Sequence, residues 1–134
     1  MKIIGLDGKE YSWNIKKTNP RNKCSEYHRL TRELLKSMFP TEVIVEEVHL
    51  PGSNGLKADF YLTNLKVLVE VHGEQHYTMS DLFHSSKKDF LMGQKRDRDK
   101  KEWCENNNII YIELPYKENT DEWRTRIIKG ITGQ

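Results

Sequence analysis

Glu70 and His72 stand two residues apart at the end of an apolar run, Leu65-Lys-Val-Leu-Val-Glu-Val-His72. A β-strand shows alternate residues to opposite faces, so Val67, Val69 and Val71 point one way and Leu68, Glu70 and His72 the other. A carboxylate on a buried strand is costly unless it is paired or bound to a cation; the plainer alternative is a strand end emerging into solvent. Upstream, Ala58-Asp59-Phe60-Tyr61-Leu62 reads as a second short strand. A hairpin turn at Thr63-Asn64 brings Asp59 near Glu70 across the ladder. The register itself is not readable, because a slip of one residue turns every side chain to the other face. Two carboxylates on adjacent strands, with an imidazole beside them, can hold a hard divalent cation through oxygen ligands. Such a cation polarises a phosphoryl oxygen and lowers the pKa of bound water. His72, with an ordinary pKa of about 6.5, can orient or deprotonate that water.

The elements that must position these groups follow from periodicity and turn residues. Residues 2–14 read as a β-hairpin turning at Asp7-Gly8. Residues 16–23 are polar, contain Asn19-Pro20 and offer Lys16, Lys17, Arg21 and Lys23 as phosphate contacts or as a linker. A helix is predicted over 25–38, with Ser25 as N-cap, a stripe of Tyr27, Leu30, Leu34, Leu35 and Met38, and Pro40 as its stop. Strands are predicted over 42–50, 58–62 and 65–72, ended by Pro51-Gly52, Thr63-Asn64 and Gly73. Residues 74–93 read as loop with some helix. A helix over 95–107 ends at three Asn, a strand over 109–114 stops at Pro115, and Thr120 caps a closing helix over 121–129. Trp103 and Trp123 fall at core positions. Tyr11 and Trp13 read as packing for the hairpin more readily than as base-stacking surfaces. His28, His49 and His84 read as surface or structural. The order predicts an α/β fold: a mixed sheet with the first helix on one face and the 95–107 helix crossing the other.

A chain of 134 residues suits one domain. Its net charge of +2 conceals an asymmetry. Residues 1–36 carry nine Lys or Arg against four acids. A second basic cluster is Lys95, Arg96, Arg98, Lys100 and Lys101, and the stretch 41–74 between them is acidic. Basic flanks suit phosphates and an acidic centre suits a metal, although solvated faces give the same pattern. Cys24 and Cys104 match no metal-site spacing and read as two reduced thiols. The longest apolar run is too short to cross a bilayer, and Met1 to Leu6 is followed at once by Asp7 and Gly8, unlike a secretory signal. A cytoplasmic, non-membrane protein is the expectation.

Asp59, ten intervening residues and Glu70-Val71-His72 resemble the PD-(D/E)XK nuclease motif, with Ala58 in place of the usual Pro and His72 in place of the usual Lys. His followed by Gly73 resembles the very-short-patch repair endonucleases and related small phage and homing endonucleases. His76 in His72-Gly-Glu-Gln-His76 resembles their second His, and Glu26 their first-helix acid, with Glu33 the lesser candidate. Asp97-Arg-Asp-Lys100, Trp103-Cys104 and Ile109-Ile-Tyr-Ile-Glu-Leu-Pro115 resemble the crossover helix and final core strand of those relatives. The resemblance covers roughly residues 25–115. The zinc-site cysteines of the mismatch-repair members are not evident.

The resemblance implies a restriction-endonuclease-like three-layer core, with a basic hairpin and linker over 1–24 and a catalytic domain over 25–134. It implies a divalent-metal phosphodiesterase acting on DNA in a bacterial or phage-infected cell, as a monomer or homodimer. In that reading Asp59 and Glu70 bind Mg²⁺ or Mn²⁺, and His72 handles the water or stabilises the pentacovalent phosphorus. His76 contacts the scissile phosphate or protonates the leaving group, and Glu26 orients a water. Lys16, Lys17, Arg21, Lys23, Lys95 and Lys100 contact DNA. The competing readings are a four-way (Holliday) junction resolvase, a ribonuclease and a non-catalytic DNA-binding module that kept the fold.

Overall fold

The computed structural model describes residues 1–15, 24–72 and 86–133, with backbone alone for 86–90. Strands β1 (Lys2–Ile4) and β2 (Glu10–Ser12) form an antiparallel hairpin. Helix α1 (Glu26–Met38) begins where the Ser25 hydroxyl accepts the His28 N–H at 3.1 Å, satisfying one of the donors a helix start leaves open. Strands β3 (Ile44–His49), β4 (Lys57–Leu62) and β5 (Val67–His72) then run as an antiparallel meander. Helix α2 (Ser86–Asn106) carries the chain across to β6 (Ile110–Pro115), which pairs parallel with β5, as a parallel pair requires. Helix α3 (Thr120–Thr132) closes the described chain. The result is mixed α/β: a four-stranded sheet in the order β3-β4-β5-β6, with helices on both faces.

Each face of the sheet has its own core. On one, Leu34 and Leu35 of α1 and Trp123 and Ile127 of α3 meet Phe60, Leu62, Val67, Val69 and Leu114. On the other, Trp103 and Cys104 of α2 meet Tyr61, Leu68, Val45 and the hairpin residues Ile3 and Trp13. Trp13 lies 4.7 Å from Tyr61 and meets Trp103 edge-on at 5.1 Å between ring centroids. Asn107 fastens the hairpin to the end of α2: its side chain accepts the Ile4 N–H at 2.6 Å and donates to the Ile4 carbonyl at 2.9 Å. Trp13 and Tyr11 are therefore packing residues.

Three local expectations are corrected. The hairpin between β4 and β5 turns through residues 63–66, with Lys66 at φ 54°, rather than through Thr63-Asn64 alone. A two-residue turn would have set Asp59 opposite Leu68, whereas the wider turn carries the register toward Glu70. Helix α2 starts at Ser86, well before residue 95. Helix α3 is capped by Asn119, not Thr120: its side chain accepts from the Glu122 N–H at 2.9 Å while Glu122 reaches back, a reciprocal capping box. Among the described residues no helix is long and apolar enough to cross a membrane.

Candidate active site at a gap between strands

The ladders on either side of β4 both fail at one residue. Between β3 and β4, Glu46 pairs with Phe60 and Val48 with Ala58, and the pair between them, Glu47 and Asp59, is skipped. Between β4 and β5 the pairing stops at Phe60 with Val69. Asp59 thus sits in a gap, and its side chain stands in for a backbone acceptor, with Oδ2 receiving the Val71 N–H at 3.0 Å. A carboxylate is held beside Glu70 at the cost of one regular ladder bond.

Glu70 points to the α2 face with Leu68 and is 3% exposed. Lys100 reaches down from α2 and sets Nζ 2.6 Å from Glu70 Oε1. The ammonium is in direct ion-pair contact with this buried oxygen. Burial pushes the Glu70 carboxyl well above the usual carboxylate range and the Asp59 charge adds to this, with Lys100 opposing. Two carboxyls competing for one proton and one ammonium form a site that favours additional positive charge.

His72 is 5% exposed and lies between two carboxylates. Its Nε2 is 3.7 Å from Asp97 Oδ1 on α2 and its Nδ1 is 3.8 Å from Glu113 Oε2 on β6. Glu113 is the register partner of Glu70 and also receives Lys101 at 2.9 Å. One strand over, Tyr111 pairs with Leu68, and its buried hydroxyl has no hydrogen-bond partner in the described structure. Burial, then the charges of Glu70, Glu113 and Asp97, push that phenol upward. Cys104, behind them, is pushed up to about 12 mainly by burial, so it is an inert thiol at neutral pH.

Asp59, Glu70 and His72 are thus gathered at one end of β4 and β5, together with Asp97 and Lys100 of the Asp-x-x-Lys run. Lys100, expected at DNA, is turned inward onto Glu70 with its side chain 14% exposed. Lys95 is exposed and paired with Asp99 at 3.2 Å. Glu26 is exposed at the start of α1, with its carboxylate held by Arg29, which also lowers its pKa; Glu33 binds the same Arg29 at 2.7 Å. Neither contacts Asp59 or Glu70 in the hydrogen bonds and ion pairs of the described residues. His76, Lys16, Lys17, Arg21 and Lys23 lie outside the described residues, as does His84. His28 is structural, bonded to Glu46 at 2.8 Å and stacked on Phe60. Sequence reasoning assigned Tyr111 and Glu113 no role; the register of a strand nearly forty residues downstream, which brings them here, has no local signal.

No family model and no solved structure matches the chain. Similar proteins come from viruses. "Uncharacterized protein 307L" of Invertebrate iridescent virus 6 is 43% identical over 68 residues, 48% of this chain and 34% of its own length. "Uncharacterized protein 033L" of Invertebrate iridescent virus 3 is 36% identical over 63 residues, 47% of this chain and 32% of its own. "Uncharacterized protein 094L" of Frog virus 3 is 36% identical over 62 residues, 46% of this chain and 40% of its own. The matched part spans well under half of each of these relatives.

Proposed function

We propose that the chain is a divalent-metal-dependent DNA endonuclease with a restriction-endonuclease-like core. The observation that carries the reading is the gap at Asp59, which sets its carboxylate beside the buried Glu70 with Lys100 and His72 at hand. A mixed sheet flanked by helices is also the coarse architecture that the resemblance to PD-(D/E)XK nucleases implies.

The residues present suit a hard cation. Among the described residues no three His, Cys, Asp or Glu converge on one point, and Mg²⁺ commonly takes one or two carboxylates, filling its shell with water and substrate phosphate. Burial and the neighbouring Asp59 charge both raise the Glu70 carboxyl, so a cation bound between the two carboxylates would relieve their repulsion. Asp59 and Glu70 would hold the ion, which supplies Lewis acidity toward a phosphoryl oxygen when bound. Lys100 neutralises Glu70 and offers its charge to a phosphate brought alongside. His72, between Asp97 and Glu113, is placed to accept a proton from water and pass it to a neighbouring carboxylate. In this reading His76 contacts the scissile phosphate or protonates the leaving group, and Lys16, Lys17, Arg21 and Lys23 contact DNA phosphates.

The test is incubation of the protein with supercoiled plasmid, a four-way junction and RNA, each with Mg²⁺ or with EDTA. Metal-dependent conversion of plasmid to nicked or linear form is the expected result. Cleavage confined to the junction or to RNA would replace the reading with a resolvase or a ribonuclease. DNA binding without cleavage under any metal would leave a binding module.

A further inference from the structure

Glu47 is the anomaly of β3. Its φ is +52°, a left-handed conformation inside a strand, whereas the other such non-glycine residues among those described, Asn54, Lys66 and Asn108, lie in turns. A side chain with a Cβ resists that conformation, so it persists only where its surroundings impose it. The anomaly resets the strand. Val45 and Val48 both pack in the α2-side core, a three-residue step that regular alternation forbids. Ala58 and Tyr61 on β4 show the same step opposite. The skipped pair between them is Glu47 with Asp59.

The neighbouring residue, Glu46, is held firmly from the other side of the sheet. Glu46 faces the other side of the sheet and is 6% exposed. From α1, His28 Nε2 lies 2.8 Å from its Oε1, Arg32 Nη2 donates to the same oxygen at 2.8 Å, and Arg32 Nε donates to Oε2 at 2.8 Å. The Glu46 carboxylate is thus gripped from two positions four residues apart on α1, which anchors the strand immediately before Glu47.

We propose that Glu46 and Glu47 are positioning residues for Asp59: the α1 grip on Glu46 holds Glu47 left-handed, and this keeps Asp59 out of both ladders with its side chain on Val71. The inference rests on the proposed active site for its function, but its geometry is testable without any cleavage. The experiment compares amide hydrogen exchange of Val71 with that of Ile112 in β6, in the full chain, for three variants. Glu47→Val, whose branched side chain tolerates the left-handed region poorly, raises Val71 exchange about tenfold relative to Ile112. Glu47→Gly, which adopts positive φ freely, keeps wild-type protection at Val71. Glu46→Gln weakens the grip and raises Val71 exchange while Ile112 is unchanged. Should Glu47→Val fail to fold, Glu46→Gln and Glu47→Gly decide the matter. Unchanged Val71 protection in Glu46→Gln, or equal loss in Glu47→Gly and Glu47→Val, overturns the proposal. If wild-type protein cuts no nucleic acid but the exchange pattern holds, the function fails and the positioning device stands.

Discussion

At the scale of single residues, the pair Asp59 and Glu70 separates a chemical role from a structural one. Asp59→Asn keeps an oxygen for the Val71 N–H, so the fold and DNA affinity should survive while metal-dependent plasmid cleavage is lost; wild-type cutting by this variant would remove Asp59 from the site. Glu70 makes a prediction about pH. Its folded-state pKa lies above that of an exposed glutamate because burial favours the neutral acid. The stability it contributes is therefore complete at pH values below the ordinary carboxylate range and is lost as pH rises through the raised folded value. Glutamine mimics the neutral acid at every pH. In EDTA, urea unfolding of Glu70→Gln should match wild type near pH 4 and exceed it increasingly toward neutral pH; a constant difference would refute the linkage. His72→Ala should slow cleavage by about 10²–10⁴-fold at saturating DNA. His72→Lys restores part of that only if the side chain acts by its charge. A near-normal rate for the alanine variant would assign the role elsewhere.

At the scale of elements, legibility tracks locality. The α1 cap at Ser25 and the stop near Pro40 are readable because caps and breakers act within a few residues. The alternation in β5 marks Glu70 and His72, and the burial of Val67, Leu68 and Val69 on both faces follows from a strand covered on two sides. The turn at 63–66 is longer than its residues suggest because Lys66 takes the left-handed position without being Gly or Asn. The gap at Asp59 has no signal of its own, since it depends on Glu47 across the sheet. The contacts of Asp97 and Lys100 with His72 and Glu70 depend on how α2 docks; sequence alone allows an ordinary helix-surface pair. For α3 the cap lies one residue earlier than expected, and its worth can be measured: Asn119→Ala should cost about 1 kcal/mol in chemical denaturation. A change below a few tenths would mean the capping box is not populated in solution.

At the scale of the whole molecule, the 16–23 segment stands out for carrying four cations, Lys16, Lys17, Arg21 and Lys23, and no acid. If that segment grips phosphates, DNA affinity falls steeply with salt, and replacing Lys16 and Lys17 with Ala flattens the slope of log K against log salt by up to about two units. An unchanged slope would turn the segment away from DNA. The parallel pairing of β5 with β6 has a kinetic consequence as well. The β3-β4-β5 meander joins residues near in sequence and closes small loops, whereas β6 reaches β5 only after the whole α2 crossover has been drawn in. Trp103, near the end of that crossover, meets Trp13 from the opposite end of the chain. Folding should therefore proceed as an early meander followed by a late closure, and indole fluorescence will report the closure rather than the first collapse. The carboxylates of β4 and β5 would come together in the first event and receive Lys100 only in the second, so a half-folded chain carries its acidic cluster bare.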